Sequence, residues 1–128
     1  MLDHIGLKVT DVERARSFYD RALKPLGVSV VMEVSAEQTG STPYLGYGEG
    51  MKPYFWIGQE GRATEKLHVA FVAASRAKVD EFYRAAMAAG GRDNGPPGLR
   101  PHYHPGYYGA FVLDPDGHNI EAVCHTPE

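Results

Sequence analysis

Cysteine is almost missing from this chain: Cys124 is the only one in 128 residues. An intramolecular disulfide framework is therefore excluded, and a small secreted scaffold with it. No apolar run approaches the roughly 20 residues needed to span a bilayer. The opening Met1-Leu2-Asp3-His4 has neither the basic nor the long apolar stretch of a secretory leader. The expected location is the cytoplasm, with no membrane partner. Concentrated positive charge is lacking too, since 13 Lys and Arg face 16 Asp and Glu for a net charge of −3. Nucleic acid is not an expected partner, because neutralising phosphates takes a clustered basic face.

Glycine and proline are plentiful, at 15 and 9 residues, against roughly 15 together in average usage. That excess points to turns and short strands rather than a helical bundle. Apolar residues at 43% and charged residues at 23% fit one ordinary folded domain.

The chain also repeats itself. A shift of 64 residues places His4 on His68, Phe18 on Phe82, Tyr19 on Tyr83, Ala22 on Ala86 and Gly27 on Gly91. Each half opens with an alternating strand, Ile5/Leu7/Val9 and Leu67/Val69/Phe71 being the apolar sets. A helix follows in both. Thr10-Asp11-Val12-Glu13 has capping-box spacing, and Val12, Ala15, Phe18, Tyr19, Ala22 and Leu23 form one apolar stripe. Ser75 is the expected cap of the second helix, whose inward set is Val79, Phe82, Tyr83, Ala86 and Met87. Strand-like segments come next at 28–34, 43–48 and 54–59, then in the second half at a weakly defined piece near Arg92, at 107–114 and at 118–125. Asp114-Pro115-Asp116-Gly117 joins the last two as a hairpin turn. Residues 37–42 and 92–106 read as loops, the latter because Pro96, Pro97, Pro101 and Pro105 bar a central strand. The expected class is α+β: two βαβββ modules, 1–62 and 63–128, within a single domain spanning 1–128.

Alternation also places chemistry. With Ile5, Leu7 and Val9 under a helix, His4 points to the other face of its sheet, and His68 does the same in the second half. Ile120, Ala122 and Cys124 form the apolar set of the final strand, so Glu121 faces away from them. Two imidazoles and one carboxylate projecting together, with coordination positions left open, suit a divalent metal such as Zn, Fe(II), Mn or Ni. His102, Tyr103, His104, Tyr107 and Tyr108 crowd the loop before the penultimate strand. They read as a wall or lid from which His104 or Tyr108 gives a proton or hydrogen bond to a metal-held oxygen. Trp56, Tyr54 and Tyr44 are candidates for the same cup. His118 is not expected to be a ligand, and Asp114 and Asp116 are expected to make the turn.

Leu2-Asp3-His4-Ile5-Gly6-Leu7, Phe18-Tyr19 and the closing run from Phe111 through Asp114-Pro115-Asp116-Gly117 to Glu121 resemble the vicinal oxygen chelate superfamily of glyoxalases, bleomycin-resistance proteins and extradiol dioxygenases. The resemblance implies paired βαβββ modules whose curled sheets form a cup around one divalent metal, with His4, His68 and Glu121 at the ligand positions and Glu121 also catalytic. It departs from glyoxalase I at the fourth ligand. Glu121 shifted by 64 falls on Ile57, between Trp56 and Gly58. Unless Gln59 or a loop residue substitutes, three protein ligands remain. It departs from fosfomycin-resistance thiol transferases at Gly6, where those carry threonine. Metal-free bleomycin-binding relatives lack the triad, so its presence weighs against pure sequestration. The implied activity is a metal-dependent lyase, isomerase or ring-cleaving dioxygenase acting on a small oxygen-rich substrate. The alternatives are a binding protein for an aromatic compound and a thiol transferase. A homodimer is expected, with His4 of one chain meeting His68 and Glu121 of the other.

Overall fold

Asp11 opens the first helix. In the computed structural model, which describes residues 1–61 and 65–127, its carboxylate accepts the backbone N–H groups of Glu13 and Arg14, both at 3.1 Å. The cap is therefore Asp11, not the Thr10 of the expected capping box. The Thr10 N–H goes instead to Asp116 Oδ1, 3.1 Å away. Helix α1 (Val12–Ala22) buries Val12, Ala15, Phe18, Tyr19 and Ala22, the expected stripe. Ser75 caps α3 (Arg76–Ala88) as expected, accepting from the Lys78 N–H.

The strands are β1 (Ile5–Val9), β2 (Ser29–Val34), β3 (Tyr44–Glu49), β4 (Lys52–Gln59), β5 (His68–Val72), β6 (Arg92–Leu99), β7 (Tyr108–Leu113) and β8 (Asn119–Cys124). They form two four-stranded sheets with the same topology, β1-β4-β3-β2 and β5-β8-β7-β6. In each, the first strand pairs with the last in parallel and the other pairs are antiparallel. The class is α+β, with two open mixed sheets and helices, as expected. The boundary at residues 62/63 falls outside the described residues.

One core serves both halves. Leu7, Val9, Tyr47, Phe55 and Ile57 of the first sheet join Phe71, Val112, Ile120 and Ala122 of the second and the apolar stripes of α1 and α3. Phe55 and Phe71 meet edge to face, with ring centres 5.2 Å apart. Each sheet thus has a core face and an open face. Among the described residues, no helix is long and apolar enough to cross a membrane.

Two expected loops differ. Residues 37–42 contain most of a one-turn helix, α2 (Ala36–Thr39), closed by a reciprocal Ser35/Gln38 capping box. Residues 92–99 form β6. Pro96 and Pro97 are tolerated because β6 is an edge strand and they fall where its pairing with β7 slips, between Gly95 and Gly98.

The hairpin between β7 and β8 does more than turn. Asp114, only 1% exposed, accepts the N–H groups of Asp116 and His118 on Oδ1 and the buried Tyr19 hydroxyl on Oδ2. His118 accepts the Leu67 N–H on Nδ1 at 3.0 Å. Its proton must then sit on Nε2, which donates to the Lys8 carbonyl at 2.9 Å. Tyr19, Thr10 and Lys8 belong to the first module, so this turn fastens the two modules together.

Candidate metal centre

The parallel register of β5 and β8 sets His68 beside Asn119 and Ala70 beside Glu121 on the open face. There His68 Nε2 lies 2.8 Å from Glu121 Oε1. Glu121 is 1% exposed, and its second oxygen accepts the hydroxyl of Tyr107. A carboxylate that deep is costly unless both oxygens are paired. Here both are. Gly109 makes this possible, since a Cβ there would stand 3.2 Å from Tyr107 Cε1 and 3.4 Å from Glu121 Oε2. Burial, and then the hydrogen bond and charge of Glu121, push the Tyr107 phenol well above its ordinary value. Tyr107 therefore stays a donor across the physiological range.

His4 lies apart from this pair. It is exposed, and its Nδ1 meets Asp3 Oδ2 at 2.7 Å. Lys52, and secondarily His4, hold the Asp3 carboxyl below its usual range. His4 and His68 border the same cavity of about 500 Å³, together with Ile5, Glu49 and Tyr54. Yet no three His, Cys, Asp or Glu side chains among the described residues come together as a metal-holding group. One chain joins His68 to Glu121 and leaves His4 outside.

Tyr108 does not reach the site. It points to the core side, donates to Asp80 Oδ1 at 2.7 Å and lies under the Arg76 guanidinium. The reason is parity: 107, 109 and 111 share one face of the chain entering β7, and 108, 110 and 112 the other. Tyr107 occupies the place expected of Tyr108, and the same alternation, counted back from Phe111, would have found it. His104 packs edge-on against Tyr107, ring centres 5.4 Å apart, without touching Glu121. Its Nδ1 accepts the Gly106 N–H, so its Nε2 donates to His125 Nδ1 at 2.9 Å. The His102 and Tyr103 rings meet at a tilt, centres 4.3 Å apart, with Tyr103 exposed. Gln59 is committed elsewhere, its Oε1 accepting the Val12 N–H.

The counterpart of Glu121 in the first module is also corrected. Glu121 lies opposite Ala70, and Gly6, 64 residues before Ala70, lies opposite Trp56. The equivalent residue is Trp56, not Ile57, which is buried in the core. Trp56 lies over Gly46, where a Cβ would approach its Cζ2 to 2.8 Å, and Tyr44 lies over Gly58. An aromatic surface stands where a fourth carboxylate was sought.

The profile of the Glyoxalase/Bleomycin resistance protein/Dioxygenase superfamily matches residues 1–122. The chain belongs to this superfamily. Its fold is shared with a crystallised glyoxalase/bleomycin resistance protein from Albidiferax ferrireducens, at 28% identity and a TM-score of 0.75 over 97% of this chain and 98% of that one. Glyoxalase I from Zea mays superposes with a TM-score of 0.74 at 21% identity, over 96% of this chain and 45% of the maize chain. A mutant fosfomycin resistance protein from Listeria monocytogenes, complexed with Mn(II) and a dihydroxypropylphosphonic acid, gives 0.67 at 18% identity, over 95% and 87%. Among the curated proteins, none matches the chain.

Members of this superfamily typically use a divalent metal. The donor chemistry here fits one: an imidazole nitrogen and a buried carboxylate oxygen already face each other, and Tyr107 orients the carboxylate from behind, as outer partners of metal ligands do. Within one chain two such donors, His68 Nε2 and Glu121 Oε1, face each other.

Proposed function

We propose that this protein is a metal-dependent enzyme acting on a small oxygen-rich substrate, with His68 and Glu121 of one chain and His4 of a second copy holding one divalent cation. The observation carrying this reading is the buried Glu121 carboxylate, aimed at His68 and braced by Tyr107. When bound, the cation supplies Lewis acidity to substrate oxygens. The protein residues do the remaining work. Glu121 holds a fixed orientation, Tyr107 keeps its proton, and His104 with Tyr103 walls the approach. Trp56 offers no base on the first sheet. Lyase or isomerase chemistry would then take its proton acceptor from Glu121, because both nitrogens of His104 are engaged by Gly106 and His125, whereas ring-cleaving oxygenation on Fe(II) needs no acceptor at position 56.

The shared centre has a structural motive. Strands β1 and β5 are each the terminal strand of their sheet, and pairing across two copies would cover both edges. It would also bring a second chain's His4 to the exposed side of His68. Sedimentation should give twice the 14.0 kDa chain mass, and a mixture of His4→Ala and His68→Ala proteins should regain metal and activity in hybrid dimers. A fully metallated monomer refutes the shared centre.

A second reading is favoured by Tyr44 and Trp56 packed over Gly58 and Gly46, a surface fit to hold an aromatic compound without turning it over. Metal analysis of protein purified without added metal or chelator separates the two. Stoichiometric metal supports the enzyme, and its absence together with tight binding of aromatic compounds supports sequestration.

A further inference from the structure

The open face of the second sheet carries a cation that the metal reading does not use. Arg100 directly follows β6, and its N–H donates to the Tyr107 carbonyl at 2.8 Å. It therefore stands opposite the residue that braces Glu121. Its guanidinium lies over the Phe111 ring, 5.5 Å from the centre. His68 also lies beside that ring, 6.1 Å away between ring centres. Phe111 is itself the cross-strand partner of Glu121.

The strand is shaped around this side chain. A Cβ on Gly95 would come within 3.2 Å of Nη2, and one on Gly98 within 3.2 Å of Nη1. Nη2 is tied to the Pro96 carbonyl at 2.8 Å. Among the described residues, no carboxylate stands within ion-pair distance of Arg100. A half-exposed guanidinium held against an aromatic ring, with one nitrogen anchored and no acidic partner, is a preorganised fork for an oxyanion.

We propose that Arg100 forms an anion subsite next to the His68–Glu121 pair, and that the substrate carries a carboxylate or a phosphoryl-type group engaged by this guanidinium. The subsite deepens the reading of the open face as a substrate surface and gives it a charge requirement. It does not depend on the metal, so the two stand or fall separately.

The test uses the full chain, as purified and again after chelation, titrated with benzoate, phenylphosphonate and neutral benzamide under NMR observation. Both anions should bind about tenfold more tightly than benzamide, the worth of one charge-assisted contact. That preference should survive chelation. Arg100→Gln should abolish it while leaving benzamide binding unchanged. Gly98→Ala, which keeps the charge and displaces Nη1, should weaken anion binding severalfold. The ratio of benzoate to phenylphosphonate then assigns the oxyanion as planar or tetrahedral. A preference that disappears on chelation, or that persists in Arg100→Gln, overturns the subsite. Chelation-insensitive anion binding in a protein without metal would uphold it while refuting the metal centre.

Discussion

Replacing Tyr107 with Phe removes one atom and tests whether the Glu121 carboxylate is braced from behind. The lost hydroxyl is the partner of Oε2, on a carboxylate with 1% exposure. Hydrogen bonds to charged groups are worth about 1.5–3 kcal/mol, and the lower half of that range applies because Tyr107 is only half-buried. A second route reaches a similar figure. Outer partners of metal ligands typically change affinity by about 10–100-fold, which is about 1.4–2.8 kcal/mol. The expected result is cobalt(II) or manganese(II) binding weakened by about tenfold to thirtyfold, with the far-ultraviolet spectrum unchanged. Calorimetric titration gives the affinity, and the visible spectrum of the cobalt form reports the ligand field directly. If Tyr107→Phe binds metal as tightly as the unaltered protein, with the same cobalt spectrum, the tyrosine only packs there.

His68→Ala should lose nearly all bound metal by elemental analysis while keeping its secondary structure, and full occupancy would sink the centre. Tyr19→Phe takes the hydroxyl from Asp114 Oδ2, a buried contact of 2.5 Å, and should cost about 2 kcal/mol in urea unfolding without changing the slope. Burial first, and then acidic neighbours, raise Tyr19, Tyr47 and Tyr107 well above the ordinary phenol value and Tyr54 to about 12. Because these folded values lie above the unfolded one, the stability they carry is complete below about pH 10 and is lost as pH rises through them. Phenolate absorbance in the native protein should therefore lag behind that of the urea-unfolded chain, and coincident curves would contradict the burial.

The fold is legible because period and punctuation agree in both halves. Ile5/Leu7/Val9 and the stripe from Val12 to Leu23 need only alternation and helical spacing, and both are core. Edge geometry is not legible: Pro96 and Pro97 argue against a strand unless the slip of β6 on β7 is known. Parity fails twice by one residue. Tyr108 is expected in place of Tyr107 because the aromatic cluster from His102 to Tyr108 reads as one wall unless alternation is counted back from Phe111. Ile57 is expected in place of Trp56 because a fixed shift of 64 ignores a one-residue difference in chain length between the halves before the last strand. Arg100 carries no sequence signal at all. Its role depends on Gly95, Gly98 and Phe111 converging across two strands, which only the register reveals.

The closing motif reports architecture more than chemistry. Asp114 is consumed by two backbone N–H groups and by Tyr19, Asp116 accepts from Thr10, and His118 ties Leu67 to Lys8. None of these side chains meets the His68–Glu121 pair. Their effect on it is indirect but strict. The turn sets where β8 begins, and a slip of one residue there would send Glu121 into the core and Ile120 or Ala122 to the open face. The motif therefore marks both the fold and the one carboxylate whose register it fixes. The first sheet is under no such constraint at Trp56, nor is the edge strand at Arg100. Trp56 shapes the aromatic open face of the first sheet, and Arg100 sets the charge over Phe111, the cross-strand partner of Glu121. Reaction and substrate should accordingly be sought in Trp56 and Arg100, and exchanging Trp56 for Glu is the direct way to ask whether a fourth ligand changes the chemistry. If metal affinity rises in Trp56→Glu while the aromatic probes bind less well, position 56 is where this chain departs from a four-ligand site. If neither changes, the open face of the first sheet does not border the centre, and the shared-dimer geometry fails with it.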